Sequence, residues 1–172
     1  ETVHLLGYSM GGRLALYFAM TYPDMVTTLT LESASPGLAD PAARAQRRTA
    51  DEALATAIEA DGISAFVKRW ERLPLFANQA HLAAPVRAAL RTQRLKNDPV
   101  GLANSLRGIG TGVQPSCWSS LHEIKPPTLL VVGALDEKFC TLNRLMQEHM
   151  PHAQLYTIEN AGHTVHLEAP GR

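Results

Sequence analysis

Hydrophobic and polar residues follow two different regimes along this chain. Short runs rich in β-branched and other apolar residues read as strands at Thr2–Gly7, Met25–Glu32, Thr128–Gly133 and Gln154–Ile158, the first of them buried. After the first run, Gly11 and Gly12 open a helix over Arg13–Tyr22, which Pro23 ends. Ser33–Pro41 has the Ser, Pro and Gly content of a loop. From Ala42 to about Leu121 alanine and arginine dominate, and helical spacing predicts helices over Ala42–Ala60, Ile63–Leu73, Leu82–Leu95 and Pro99–Ile109. A further helix is expected over Thr141–His149. Strands alternating with helices predict an α/β fold with a mostly parallel sheet. The sheet segments are residues 1–38 and 122–172, and residues 39–121 form an inserted helical cap. Insertions of this kind sit over the carboxyl edge of a sheet, where α/β proteins bind ligands.

Composition narrows the function classes. The chain has 172 residues, enough for one domain with a core, and 16 basic residues balance 16 acidic ones. That balance gives no reason to expect nucleic acid or an anionic membrane as partner. No apolar run approaches the roughly 20 residues of a bilayer span, and a cytoplasmic location is expected. Cys117 and Cys140 lack CxxC spacing and metal-like companions, so both are expected to be inert buried thiols, with no metal and no cofactor. The charge is uneven, however. Pro41–Gly110 carries eleven basic residues, nine of them Arg, against six acidic ones, which is either a solvated face or a wall for an anionic ligand.

Gly7-Tyr8-Ser9-Met10-Gly11 fits G-x-S-x-G between a strand and a helix. In that setting a sharp turn holds the serine hydroxyl above the sheet, as in the nucleophile elbow of the α/β-hydrolase fold. The Met10 backbone N–H would then face a developing oxyanion. A serine needs a histidine with an orienting carboxylate, and this fold supplies them in the order Ser, Asp, His. Asp136 follows the strand ending at Gly133, and His163 follows the strand ending at Ile158, so Ser9, Asp136 and His163 are the candidate catalytic triad. Asp136 could instead be a helix N-cap. His4 and His166 fit the pattern less well and are expected to pack or form local hydrogen bonds.

Longer stretches resemble one family within this fold, the 2-succinyl-6-hydroxy-2,4-cyclohexadiene-1-carboxylate synthases of menaquinone biosynthesis. They are Gly7–Arg13, Leu31–Leu38, Arg47-Arg48, Phe66–Phe76, Arg91–Leu95, Gly112–Pro115, Asp136–Phe139 and Ala161–His163. The resemblance implies a carbon–oxygen lyase that removes a ring proton and releases pyruvate, with no cofactor. It implies a small polyanionic metabolite as partner, its carboxylates gripped by Arg13, one of Arg47 and Arg48 (Arg47 favoured) and Arg94, with Tyr8 and Trp70 lining the pocket. Arginine suits this task because its planar fork grips a carboxylate by two parallel hydrogen bonds. Arg69, Arg72 and Arg87 are expected at the surface.

Measured against that family, the chain begins one strand before the elbow and stops where a final helix should start. It is therefore expected to be the C-terminal part of the fold, without the loop that gives a second oxyanion donor. Two other readings stay open at this level: a hydrolase using the same triad on an ester, thioester or C–C bond, and an inactive fragment. The oligomeric state is not encoded in any feature of the sequence.

Overall fold

The computed structural model describes all residues, Glu1–Arg172. Four parallel strands pair in chain order: β1 (Val3–Tyr8), β2 (Val26–Glu32), β3 (Thr128–Gly133) and β4 (Ala153–Ile158). The register sets Tyr8 opposite Glu32, Glu32 opposite Val131, and Gly133 opposite Ile158. All four carboxyl ends therefore fall on one edge of the sheet. Between the strands run α1 (Met10–Thr21), α2 (Pro41–Trp70), α3 (Ala84–Leu95), α4 (Pro99–Ile109) and α5 (Glu137–His149), with a short α6 (Val165–Glu168) after β4.

The chain forms two compact units. The sheet unit comprises Glu1–Pro36 and Cys117–Arg172. Helix α1 turns Gly12, Ala15, Leu16 and Ala19 inward, the spacing of one helical face. Helix α5 does the same with Cys140, Asn143 and Met146. These faces meet alternate residues of the inner strands, Leu29 and Leu31 on β2 and Leu130 on β3. Cys117, Leu121 and Ile124 close the same core, so the helical insertion ends at Ser116 and not at residue 121. A 3₁₀ turn over Trp118–Glu123 carries the last part of this segment. β1 stands first in the order of the four-stranded sheet, with Gly7 buried and Leu6 67% exposed.

The helical unit is Gly37–Ser116. Asp40 caps α2 by accepting from the N–H groups of Ala42 and Ala43. Gly62 interrupts α2 with φ 78° and ψ 173°, a conformation essentially reserved for glycine, at the break expected between the first two cap helices. Ala55, Ile58 and Val67 of α2 and Ala103 of α4 are buried. Arg107 of α4 forks onto Glu52 and Glu59 of α2 and holds both carboxyls below their ordinary range through hydrogen bonds.

Element ends differ from the expected ones where turns compete with helices. Pro23–Met25 and Pro74–His81 are 3₁₀ turns; α1 starts three residues before Arg13, and α5 starts four before Thr141. The early starts set the first helical turns directly after Ser9 and Asp136.

Leu130 is fully buried at the centre of the sheet core. Leu130→Ala is expected to lower unfolding free energy by about 2–5 kcal/mol, measured by urea titration with an unchanged m-value.

Candidate active site

Ser9 lies between β1 and α1 with φ 49° and ψ −110°, a strained conformation for a residue with a Cβ. Two backbone bonds hold it there: its N–H donates to the Glu32 carbonyl at 2.8 Å, and its carbonyl accepts from the Arg13 N–H at 3.0 Å. The turn is possible because β1 and α1 nearly touch. A Cβ on Gly7 would lie 2.5 Å from the Gly11 oxygen, and one on Gly12 would lie 2.5 Å from the Ala34 Cβ. Gly11, the final glycine of the motif, faces nothing within 4 Å. The space-limiting pair is Gly7 and Gly12, and the five-residue pattern omits the second of these.

His163 sits in the loop after β4 and is 1% exposed. Its Nε2 is 3.0 Å from the Ser9 hydroxyl, and its Nδ1 is 2.6 Å from Oδ2 of Asp136. With Nδ1–H donating to the carboxylate, Nε2 is left to accept from the serine O–H, the arrangement a serine base requires. Asp136 also accepts from the Phe139 N–H through Oδ1, capping α5. The helix cap and the hydrogen bond to His163 are thus made by two oxygens of one carboxylate. β3 can reach the histidine loop only because Gly133 has no side chain, since a Cβ there would lie 2.2 Å from the Gly162 carbonyl oxygen.

Other groups surround the imidazole. Phe139 meets it edge-on at 4.6 Å between ring centroids, and Tyr8 lies at 5.5 Å. The Tyr8 hydroxyl hydrogen-bonds the Thr164 hydroxyl at 3.0 Å. Glu168 accepts from the N–H groups of Gly162 and Thr164, the residues on either side of His163. Met10 is the first residue of α1, so its N–H precedes the intrahelical ladder. Arg13 lies one turn further and is 8% exposed. His166 bonds Glu32, and His4 bonds the Thr28 hydroxyl, so both make hydrogen bonds to partners distant in sequence and not the local ones expected. Cys117 and Cys140 are buried, and burial pushes the Cys140 thiol up. No group of three or more His, Cys, Asp or Glu side chains is arranged to hold a metal ion.

The remaining sequence candidates, Arg47, Trp70 and Arg94, belong to the helical unit. Arg47 makes a 2.8 Å ion pair with Asp51 four residues on, the local alternative to a ligand contact. Arg48 donates to the Gly112 carbonyl. Trp70 stacks between Phe66 and Phe76, at 5.2 and 5.3 Å. Arg94 lies over the Phe76 ring at 5.6 Å, donates to Gln79 at 2.9 Å, and shares Glu71 with Arg91. Arg69 pairs with Asp61. Five of the eleven basic residues, Arg47, Arg69, Arg91, Arg94 and Arg107, are thus paired with carboxylates of their own unit. Arg69, Arg72 and Arg87 are exposed, as expected.

The family model of the α/β hydrolase fold matches residues 1–170. A Bacillus subtilis (strain 168) protein provisionally named 2-succinyl-6-hydroxy-2,4-cyclohexadiene-1-carboxylate synthase is 51% identical over 98% of this chain. The structure of MenH from S. aureus superposes with a TM-score of 0.96 and 41% identity over 99% of the chain. A thermophilic esterase from Thermogutta terrifontis superposes with a TM-score of 0.79 and 26% identity over 98% of the chain. The chain spans 61% of the B. subtilis protein, 64% of the S. aureus chain and 60% of the esterase chain. No helix is long and apolar enough to cross a membrane.

The contact between β1 and α1 gives a direct test. Gly12→Ala drives a methyl group into Ala34 and is expected to cost about 1–3 kcal/mol, read as a lower melting temperature.

Proposed function

Because the chain belongs to the α/β-hydrolase fold family, we propose that it carries the proton-transfer centre of a carbon–oxygen lyase. The reaction is elimination of pyruvate from 2-succinyl-5-enolpyruvyl-6-hydroxy-3-cyclohexene-1-carboxylate, giving 2-succinyl-6-hydroxy-2,4-cyclohexadiene-1-carboxylate. The chemistry rests on one observation, the unbroken relay from the Ser9 hydroxyl through His163 to Asp136 at 3.0 and 2.6 Å. The choice of lyase rests on the names borne by the B. subtilis and S. aureus proteins.

In this reading His163 takes the Ser9 proton as the serine oxygen removes a proton from the ring. The C–H electrons form a ring double bond between C2 and C3, the existing C3–C4 double bond moves to C4–C5, and the C5–O bond breaks. The departing enolate takes up a proton and becomes pyruvate. Asp136 keeps the imidazole in the tautomer that accepts at Nε2 and stabilises its charged form. The backbone N–H of Met10, at the start of α1, is a donor for negative charge developing on oxygen. Arg13 is the carboxylate-binding arginine nearest Ser9 in sequence. Arg47 and Arg94 serve the same polyanionic substrate, with Trp70 and Tyr8 as apolar walls.

A serine hydrolase is the second reading, favoured by the same relay and by the esterase likeness. The two chemistries part at the covalent step. The lyase releases pyruvate with no acyl-enzyme, whereas a hydrolase gives a burst from an activated ester with the acyl group trapped on Ser9. A full chain that shows this burst and releases no pyruvate above background overturns the lyase reading.

Two substitutions probe the roles. Ser9→Ala deletes the base and leaves the neighbouring walls, so kcat is expected to fall by about 10³-fold or more with little change in KM. Arg94→Ala is expected to lower kcat/KM for the polyanionic substrate by roughly 30- to 1,000-fold, partly through KM. A neutral ester should be nearly unaffected. Equal losses on both substrates would assign Arg94 to holding Glu71 and Gln79.

A further inference from the structure

We infer that Glu32 and His166 form a positioning pair that sets the alignment of Ser9 with His163. The inference rests on reading Ser9 and His163 as the reactive pair, but on neither the lyase nor the hydrolase chemistry.

Glu32 is the last residue of β2, and its side chain is only 9% exposed. A carboxylate in so enclosed a place is costly unless its oxygens are hydrogen-bonded. Those bonds come from His166. Oε1 accepts from the His166 backbone N–H at 3.2 Å, and the His166 ring Nδ1 lies 2.9 and 3.0 Å from the two carboxylate oxygens. At its other end Glu32 holds the nucleophile turn, because its carbonyl accepts the Ser9 N–H at 2.8 Å. One residue therefore joins the turn that strains Ser9 to the segment three residues past His163.

Tyr8 fills the space between these two anchor points. Its ring meets His166 edge-on at 5.0 Å and His163 at 5.5 Å, and its hydroxyl bonds Thr164. The histidine loop is thus tied to the elbow on both sides of the Tyr8 ring. Helix α6 has only four residues and little strength of its own, so these ties act together with the Glu168 and Asp136 hydrogen bonds in holding the loop. Displacing a reacting group by about 1 Å can cost on the order of 100-fold in rate. His166, with its side chain 48% exposed, touches the reactive atoms only through Glu32 and Tyr8, and the same holds for the Glu32 carboxylate. Both are positioning residues.

The test is the rate constant for Ser9 reacting with a fluorophosphonate, alongside pyruvate release, in the full chain. In the probe reaction the Ser9 oxygen bonds phosphorus, fluoride leaves, and His163 takes the proton, whichever substrate is natural. Glu32→Gln keeps one acceptor oxygen and is expected to slow labelling about tenfold, and Glu32→Ala further. His166→Ala alters a half-exposed side chain without threatening the fold and is expected to slow labelling roughly threefold to tenfold. The double variant Glu32→Gln/His166→Ala should be no slower than the slower single one. Where pyruvate is released, kcat should fall in parallel with KM within about twofold. A role in folding alone would lower the melting temperature or the labelled fraction and leave the rate constant untouched.

Wild-type labelling rates in both Glu32→Gln and His166→Ala overturn the pair, and so do independent, multiplicative losses in the double variant. Labelling that responds as expected in a protein releasing no pyruvate upholds the pair and defeats the lyase reading instead. A wild-type chain whose Ser9 reacts with neither probe nor substrate overturns both.

Discussion

Parallel pairing in register is the constraint on which the site depends. Tyr8 stands opposite Glu32, Glu32 opposite Val131, and Gly133 opposite Ile158, so the strands finish almost level. The segments leaving the strands must then share a narrow edge: the Ser9 turn after β1, Asp136 after β3, His163 after β4, and Glu32 at the tip of β2. Level strand ends crowd their loops together, and the glycines relieve that crowding. Gly7 and Gly12 admit the elbow, and Gly133 admits the histidine loop. Slipping one strand by a residue would turn its side chains to the opposite face and dissolve the constellation.

The helical unit obeys a different logic, in which charge is organised before any ligand arrives. Glu71 is shared by Arg91 and Arg94, Asp51 takes Arg47, and Glu52 with Glu59 takes Arg107. Exposed pairs of this kind contribute little stability individually. They do fix long side chains in one rotamer, which lowers the entropy cost of presenting a guanidinium to an anion. An acid beside a binding arginine is compatible with that role when it orients the fork without fully occupying it.

The strands are legible in the sequence because alternation and β-branched residues have a short period and clear ends. The grouping of Ser9, Asp136 and His163 is legible too, since each lies within a few residues of the carboxyl end of a strand. Less legible are features that depend on contacts across space. Glu32 looks like the polar end of a strand, and only the fold brings His166 to it. Glu168 belongs to no sequence motif, yet it accepts the amides on both sides of His163. The positive balance of Pro41–Gly110 reads equally as a solvated face or a wall for an anion, because one-dimensional counting cannot see which acids face which arginines. The first turn of α1 escapes the helical pattern because Gly11 and Gly12 are weak helix formers, and that of α5 because its start is set by the Asp136 cap.

The double use of Asp136 couples two properties usually treated apart. One oxygen caps the backbone of α5 and the other steadies the imidazole. Fraying of the first turn of α5 therefore frees the carboxylate and loosens the histidine together, while the sheet core stays intact. Local openings of this kind need far less free energy than global unfolding. Heat or mild denaturant can then part His163 from Asp136 at conditions where the bulk of the secondary structure survives.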